Sequence, residues 1–272
     1  MWQPVSGCGD QCRDGADARA TRGVPTLRVV LLGGVLIGGF LMVPLLRGAA
    51  LRGLARTMLA VLGIKLVRQG PALRPGSLLT ANHVSWLDIL VLLAVAPVRL
   101  VAKGEVGSWP GIGALAGLSG AIFIDRSRPK ALPTTVAEVA AALRAGRTVA
   151  AFPEGTTFCG AIHSQVPGPT DGAENPGPYR AAQGKFRPAL FQAAIDAGAP
   201  VVPASICYDT TAAAFIGDDT LWDSIRRVAA LRSLTVTLVT APALRPTAGA
   251  DRRTLARAAQ SSLGPSGYRL AA

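Results

Sequence analysis

The residues with the clearest capacity for chemistry are His83 and Asp88, five positions apart at the end of a predicted strand and the start of a predicted helix. On one regular helix, positions five apart point about 140° away from each other. The spacing therefore predicts His83 in the turn and Asp88 in the first helical turn, where its carboxylate can reach the imidazole. Such a carboxylate fixes the tautomer and leaves the other ring nitrogen to remove a proton from a hydroxyl. This is the His–Asp half of a serine-hydrolase triad, with a substrate alcohol as nucleophile.

The same residues have a purely structural interpretation. Ser85 and Asp88 have the spacing of a capping box, so Asp88 is also compatible with a role limited to the helix N-terminus. His83 would then be an ordinary turn histidine. The two residues alone leave both interpretations open.

A second motif, Phe-Pro-Glu-Gly-Thr-Thr at residues 152–157, ends the predicted strand 148–152. Sheets of α/β proteins bind their ligands at the carboxyl ends of parallel strands, where Glu154 and Gly155 would lie. The alternative is a tight turn with a solvated glutamate.

A third motif is the apolar strand 121–124, which ends in Asp125 and Arg126. The planar donor fork of arginine suits a phosphate group. Alone, the pair is equally compatible with a surface ion pair between Arg126 and Asp125.

Alternating elements must position these residues. The pattern predicts strands at residues 77–80, 99–102, 121–124, 148–152, 201–206 and 234–240, and helices at residues 86–95, 133–145, 187–197 and 221–230. Thr135 and Glu138 have capping-box spacing for the second helix. This alternation predicts an α/β domain over residues 70–272, with a layered, mostly parallel sheet flanked by helices.

The N-terminal region is different. Residues 1–26 lack apolar periodicity and are predicted to be a disordered leader. Residues 29–46 carry no charge and lie between Arg28 and Arg47, so a helix spanning or embedded in a bilayer is expected, with a core helix or a cleaved signal as alternatives. Residues 51–62 show helical spacing with Arg52 and Arg56 opposite, typical of an interfacial or an ordinary amphipathic helix. Residues 27–69 are thus predicted to be membrane-associated helices.

Composition points to an anionic partner. Half of the 272 residues are hydrophobic, 16% are charged, and the net charge is +12. Because aromatics are few and no nucleic-acid motif is present, anionic lipid is favoured over nucleic acid. The spacing of Cys8, Cys12, Cys159 and Cys207 matches no zinc-site pattern, so plain thiols in a reducing compartment and no metal are expected.

Together and in this order, the motifs resemble the 1-acylglycerol-3-phosphate acyltransferase family of glycerolipid acyltransferases. That family carries a His-x4-Asp box, an apolar strand ending in Arg, a Phe-Pro-Glu-Gly-Thr box and an apolar strand containing Pro, here Pro203. Lys103 also looks like the family's lysine in its region. The resemblance covers about residues 77–206.

The resemblance implies a role for each site residue. His83 would be the general base and Asp88 would orient it, without an acyl-enzyme. Arg126 and Lys103 would hold the acceptor's phosphate. The turn residues Glu154, Gly155 and Thr156 would shape the acceptor pocket. Neither a cofactor nor a tightly bound metal is implied; acyl-CoA or acyl-ACP would be the co-substrate.

The expected function is acylation of a free hydroxyl on a lysophosphatidate-like acceptor in phospholipid synthesis. The expected location is the cytoplasmic membrane, with the catalytic domain on the cytosolic side. Alternatives are another hydroxylated lipid such as a lyso-aminolipid, a non-catalytic lipid-binding protein, or a hydrolase, although no Gly-x-Ser-x-Gly elbow is present.

One departure from the family concerns residues 158–184, a Pro/Gly-rich insertion that separates the glutamate box from its basic continuation at residues 184–188. The insertion is expected to border the site as a loop and lid. His163, within it, is expected to be solvated.

Overall fold

A computed structural model describes residues 8–9, 12, 21, 23–109, 111–125, 128–159, 162–163, 180–181, 184–247 and 249–263. For residues 41–49, 129, 162–163 and 180–181 it describes the backbone alone.

Helices and strands alternate through most of the chain. The helices are α1 Val24–Val61, α2 Leu87–Val95, α3 Ile112–Leu118, α4 Leu132–Arg144, α5 Ala189–Ala197, α6 Leu221–Ala229 and α7 Arg252–Ser261. The strands are β1 Ile64–Gln69, β2 Leu78–Ala81, β3 Val98–Lys103, β4 Ile122–Ile124, β5 Thr148–Ala151, β6 Ile162–His163, β7 Arg180–Ala181, β8 Val201–Tyr208 and β9 Leu234–Thr240. Short 3₁₀ helices cover Gly104–Ser108, Pro129–Ala131 and Thr211–Ala213.

Seven strands form one sheet in the order β1-β9-β8-β2-β5-β3-β4. Every neighbouring pair is parallel except β8 and β9, which are antiparallel. The predicted mixed α/β class with a mostly parallel sheet is therefore confirmed.

Helices cover both faces of this sheet, so its central strands are apolar throughout. Leu79 of β2 packs among residues of α1, α2 and α6, whereas Leu78 packs among residues of α4, α5 and α7. Successive side chains of a strand point to opposite faces, which explains why all four residues of β2 are buried.

The N-terminal region differs from the prediction of two membrane helices. One continuous helix, α1, runs through both predicted segments, and its last turns bury Ala55, Met58, Leu59 and Leu62 in the core. Residues 64–69 form β1, which pairs with β9 in the main sheet. Among the residues that the structure describes, no helix combines the length and the apolar character that crossing a membrane requires. The spanning helix expected at residues 29–46 thus gains no support.

The capping box expected at Thr135 is wrong. Helix α4 begins at Leu132, before Thr135, with Pro133 in its first turn. Thr135 is buried, and its hydroxyl donates to the carbonyl of Ala131 at 3.5 Å, so it lies inside the helix and does not cap it.

Candidate active site

The predicted site residues meet at one edge of the sheet. Strands β2, β5, β3 and β4 are consecutive parallel neighbours, so their carboxyl ends lie at the same edge. His83 follows β2, Glu154 follows β5, and Lys103 is the exposed last residue of β3. Arg126 follows β4 in the chain but lies outside the described residues. This edge is where α/β sheets bind ligands.

The imidazole and the carboxylate of the His-x4-Asp box are in direct contact. Nδ1 of His83 lies 2.8 Å from Oδ2 of Asp88. Because α2 begins at Leu87, Asp88 lies in the first helical turn and His83 in the preceding turn, as the spacing predicts. A carboxylate accepts a hydrogen bond and cannot donate one, so the pairing places the proton of a neutral imidazole on Nδ1.

Asp88 also performs the structural role that the sequence left open. Its Oδ2 accepts hydrogen bonds from the backbone N–H groups of Val84 and Ser85, at 2.7 and 2.9 Å. These bonds fix the turn that carries His83. The two interpretations of Asp88 are therefore compatible, because one carboxylate fixes both the backbone and the ring.

Tyr208, at the end of β8, completes the shell around Asp88. Its hydroxyl donates to Oδ1 of Asp88 at 2.5 Å. Burial, followed by the charge of Asp88 and the hydrogen bond to it, raises the pKa of Tyr208 well above its ordinary value. The phenol therefore remains a donor. Asp88 is fully buried yet accepts four hydrogen bonds, which compensates for its loss of hydration.

The His83 ring is covered by an aromatic side chain on one face and is partly exposed to solvent. Phe152 stacks on it, with ring centroids 4.0 Å apart and an angle of 11° between the planes. The His83 side chain keeps 20% of its surface exposed, whereas that of Asp88 is at 0%. Within the described part of the chain, Nε2 has no hydrogen-bond partner. This nitrogen is thus the one available to a substrate hydroxyl.

The turn before His83 is fixed by Asn82. The Asn82 side chain donates to the carbonyl of Ile206 at 3.0 Å and accepts from its N–H at 2.7 Å. A side-chain amide thereby continues the pairing of β2 with β8 beyond the strand itself. Asn82 connects the His-x4-Asp turn to the strand that carries Tyr208.

Glu154 is buried and also fixes the turn that carries His83. Its Oε2 accepts from the N–H of His83 at 2.7 Å, and its Oε1 accepts from the N–H of Gly184 at 3.1 Å. Burial raises the pKa of Glu154 to about 8, with the negative charge of Asp88 as a smaller contribution, and the two N–H bonds oppose the shift. The solvated glutamate that a simple turn would carry is not found, since Glu154 is only 3% exposed.

The rest of the glutamate box forms a tight turn. Gly155 has a φ of +82°, a left-handed conformation that glycine adopts without steric cost, and its N–H donates to the carbonyl of Phe152. Thr156 is half-buried. The hydroxyl of Thr157 donates to the carbonyl of Phe215, which connects this turn to the loop after β8.

Both ends of the insertion are attached to the site. At its start, the N–H of Phe158 donates to the carbonyl of His83 at 2.8 Å. At its end, Gly184 bonds to Glu154, and the N–H of Arg187 donates to the carbonyl of Pro153 at 3.0 Å. The basic segment at residues 184–188 thus contacts the glutamate box despite the insertion. Most of the interior, expected to act as a lid, lies outside the described residues, as does the side chain of His163.

Three cysteines form a cluster that the spacing did not predict. The Sγ atoms of Cys8, Cys12 and Cys159 all lie within 4.8 Å of one another, and all three residues are buried. Cys207 is separate from this group, and burial raises the pKa of its thiol to about 12, in agreement with a plain half-buried thiol.

Residues 61–207 match the family model described as Acyltransferase. The chain belongs to this acyltransferase family, and it is an acyltransferase enzyme; the resemblance drawn from the four motifs is confirmed.

Its relatives include enzymes named for two acceptors. A 1-acyl-sn-glycerol-3-phosphate acyltransferase of Neisseria meningitidis serogroup B is 33% identical over 190 residues, which is 67% of each chain. A lyso-ornithine lipid O-acyltransferase of Pseudomonas aeruginosa is 34% identical over 217 residues, covering 77% of this chain and 74% of the relative. The lyso-ornithine lipid O-acyltransferase of Rhizobium meliloti is 48% identical over 83 residues, 30% of this chain and 28% of the relative.

The fold is also that of a solved structure. The 1-acyl-sn-glycerophosphate acyltransferase PlsC from Thermotoga maritima superposes with a TM-score of 0.57 at 20% identity, covering 88% of each chain.

Proposed function

We propose that the chain transfers an acyl group from a thioester to the free hydroxyl of a lysolipid, with a lysophosphatidate-like molecule as the first candidate acceptor. The observation that carries the proposal is the contact of 2.8 Å between His83 Nδ1 and Asp88 Oδ2, which leaves Nε2 toward the substrate. Family membership supports acyl transfer, and the geometry supports a hydroxyl as the group that is activated.

In the proposed mechanism, Nε2 of His83 removes the proton of the acceptor hydroxyl as its oxygen attacks the thioester carbonyl. The oxygen–carbon bond forms, the carbon–sulfur bond breaks, and the departing thiolate receives the proton from the imidazolium. Asp88 stabilises the imidazolium in between, because its negative charge lies against Nδ1. No acyl-enzyme and no enzyme nucleophile are needed.

Other residues of the edge would bind the acceptor. Lys103 and Arg126 are the proposed phosphate ligands, since Lys103 ends β3 and Arg126 follows β4 in the chain, and both strands are parallel to β2. Glu154 would contribute indirectly to the site, because it fixes the backbone of His83. Gly155 and Thr156 would form the adjacent wall. The donor would be acyl-CoA or acyl-ACP.

A second acceptor, a lyso-ornithine lipid, is favoured by a specific observation. Enzymes named for that acceptor include the relative with the longer alignment and the one with 48% local identity. A lyso-ornithine lipid offers a hydroxyl for the same His83 chemistry but lacks the phosphate that Lys103 and Arg126 would bind. The two acceptors therefore make different demands on the two cations.

The acceptor experiment separates these candidates. Purified protein is given one labelled acyl thioester and an equal mixture of lysophosphatidate and lyso-ornithine lipid, and the products are identified by mass spectrometry. Labelled phosphatidate would support the first candidate, and labelled ornithine lipid would support the second. Release of free fatty acid with neither product would contradict acyl transfer to a lysolipid. A single Arg126→Gln variant should reduce phosphatidate formation while sparing ornithine lipid formation.

We also propose that the enzyme works at the surface of an anionic membrane. Large apolar side chains are exposed along α1 and around α3, namely Leu27, Val30, Leu31, Ile37, Phe40, Trp109, Ile112 and Leu118. Helices α1 and α3 contact each other, and we propose that these exposed side chains form one lipid-facing surface. Exposed apolar surface of this kind, on a chain of net charge +12, suits an anionic lipid headgroup region.

Vesicle binding tests this surface. The protein should sediment with phosphatidylglycerol vesicles more than with phosphatidylcholine vesicles, and the single variants Val30→Asp and Ile37→Asp should each weaken binding. Ala258→Asp is the matched control, because it adds the same charge to an exposed position on α7, on the opposite face of the sheet. Equal loss of binding in all variants would contradict the proposed surface.

A further inference from the structure

The cysteine cluster unites two distant parts of the chain. Cys8 and Cys12 come from the N-terminal segment, whereas Cys159 comes from the loop just after the glutamate box, 151 residues beyond Cys8. The chain has four cysteines in all, and three of them meet here. The thiol of Cys8 lies 3.2 Å from that of Cys159 and also accepts the N–H of Cys159 at 3.3 Å.

We propose that Cys8, Cys12 and Cys159 form a binding site for a thiophilic divalent cation, with Zn²⁺ as the best match. In a tetrahedral zinc site each sulfur lies about 2.3 Å from the ion, so two bound sulfur atoms are about 3.8 Å apart. The Cys8–Cys159 separation of 3.2 Å lies below that value, and all three pairs lie within 4.8 Å of one another. Small side-chain rotations therefore convert the cluster into three ligands, with one position remaining for water.

The chemistry of the ligands selects this class of ion. Cys8 and Cys12 are separated by three residues, a spacing that allows two thiolates to bind one zinc ion, and the distant Cys159 provides the third. Thiolate ligands favour Zn²⁺ over Mg²⁺ or Ca²⁺, which take oxygen ligands. On binding, each thiol releases its proton to solvent, so the ion and three thiolates together carry one negative charge.

The surroundings connect the site to the catalytic turn. The cluster packs with Val84, Ala214 and Ile216, and Tyr208 lies against it. Val84 follows His83 directly, and its carbonyl accepts the N–H of Phe215 at 2.9 Å. A bound ion would therefore hold Cys8 and Cys12 against the back of the turn that carries His83. Its role would be structural, since no cluster sulfur is needed for acyl transfer.

Cobalt binding tests the proposal without relying on activity. Reduced, metal-free protein is titrated with Co²⁺ in the absence of oxygen. The expected result is one ion per chain, with the charge-transfer and ligand-field absorption of a tetrahedral thiolate site, displaced by Zn²⁺. Cys12→Ser and Cys159→Ser should weaken binding by more than the roughly 10–100-fold that loss of an outer-shell partner costs. Cys207→Ser is the matched control and should bind as the wild type does.

A second measurement uses the wild-type protein alone, so it remains informative if the cysteine variants fail to fold. Zinc should protect Cys8, Cys12 and Cys159 of the wild-type protein from alkylation, measured by peptide mass spectrometry, while Cys207 reacts equally with and without zinc. Absence of cobalt absorption in the reduced wild type would overturn the proposal. So would protection of none of the three, or a Cys8–Cys159 disulfide that re-forms at once after reduction and excludes the ion.

Discussion

The hydroxyl of Tyr208 donates to Oδ1 of Asp88 at 2.5 Å, from a strand that ends 120 residues further along the chain. Asp88 in turn bonds through Oδ2 to the imidazole of His83. The three side chains form a chain of hydrogen bonds that begins at the half-buried Tyr208 and ends at the exposed edge of the His83 ring. The orientation of the proposed base thus depends on the contact between two parallel strands, β2 and β8.

Replacing Tyr208 with Phe should disturb Asp88 without changing the residues that face the substrate. One oxygen of a buried carboxylate then lacks a partner, so the free energy of unfolding should fall by about 1.5–3 kcal/mol. The kcat should also fall, with little change in KM, because the imidazole is held less firmly. Urea unfolding and steady-state kinetics measure both effects, with Tyr268→Phe as control. An unchanged kcat would show that the Tyr208 hydroxyl does not contribute to catalysis.

Replacing Asp88 with Asn should abolish most of the activity. The amide oxygen can still accept from the N–H groups of Val84 and Ser85, so the turn is retained, but the charge that stabilises the imidazolium is lost. The analogous change in a serine-protease triad costs about 10⁴ in kcat, and a loss of that order is expected in an acyl-transfer assay. Circular dichroism verifies the fold. Wild-type turnover by a folded Asp88→Asn protein would assign the carboxylate to structure alone.

Glu154 should make stability depend on pH. Its folded pKa of about 8 lies above the ordinary value of 4.5, so the folded protein binds a proton that the unfolded chain has released between these values. The free energy of unfolding should therefore fall as pH rises from about 5 to about 8, by up to about 1.4 kcal/mol per pH unit.

Glu154→Gln should remove this part of the pH dependence, because the amide does not ionise. Urea unfolding of both proteins at pH 6, 7, 8 and 9 reveals it as a difference in slope. The variant Glu105→Gln, at an exposed position, is the control and should follow the wild type. Parallel slopes for Glu154→Gln and the wild type would show that Glu154 is ionised throughout this range.

Gly184 should not tolerate a larger residue. A Cβ at this position would lie 2.3 Å from a ring carbon of Phe158 and 3.1 Å from Cβ of Glu154. Gly184→Ala should therefore separate the basic segment from the glutamate box, lowering the free energy of unfolding by about 1–3 kcal/mol. Thermal unfolding and acyl transfer measure the effect. Gly117→Ala in α3, where nothing lies within 4 Å, is the matched control. Equal behaviour of the two variants would show that the contact at Gly184 is dispensable.

The sequence was sufficient to predict the helices and strands with strong periodicity and the local geometry of the His-x4-Asp box. The spacing alone placed Asp88 in a first helical turn, because only that arrangement lets both side chains meet. It could not identify Tyr208, because that contact depends on the order of strands in the sheet, which no local pattern encodes. The cysteine cluster was missed for the same reason.

Weak periodicity explains the elements that were missed. The edge strand β1 alternates poorly between buried and exposed positions, which is why the sequence pattern places residues 64–69 with the preceding helical region. Helix α7 buries only Leu255, Ala256 and Ala259, so its apolar periodicity is weak. The feature of the sequence that indicates this helix is its N-cap residue Asp251, which accepts from the N–H of Thr254 at 2.8 Å. The two predicted N-terminal helices form a single helix, because Pro44 and the glycines of α1 are accommodated without a break.

The most direct test of the central claim compares the two histidines of the chain. Acyl transfer from a labelled thioester to the preferred lysolipid is measured for His83→Ala and for His163→Ala, with thermal unfolding to verify the fold of each. A general base contributes about 10²–10⁴ to the rate, so His83→Ala should lose activity by that factor while His163→Ala retains it. Wild-type turnover by a folded His83→Ala protein would contradict the claim that this imidazole activates the acceptor hydroxyl.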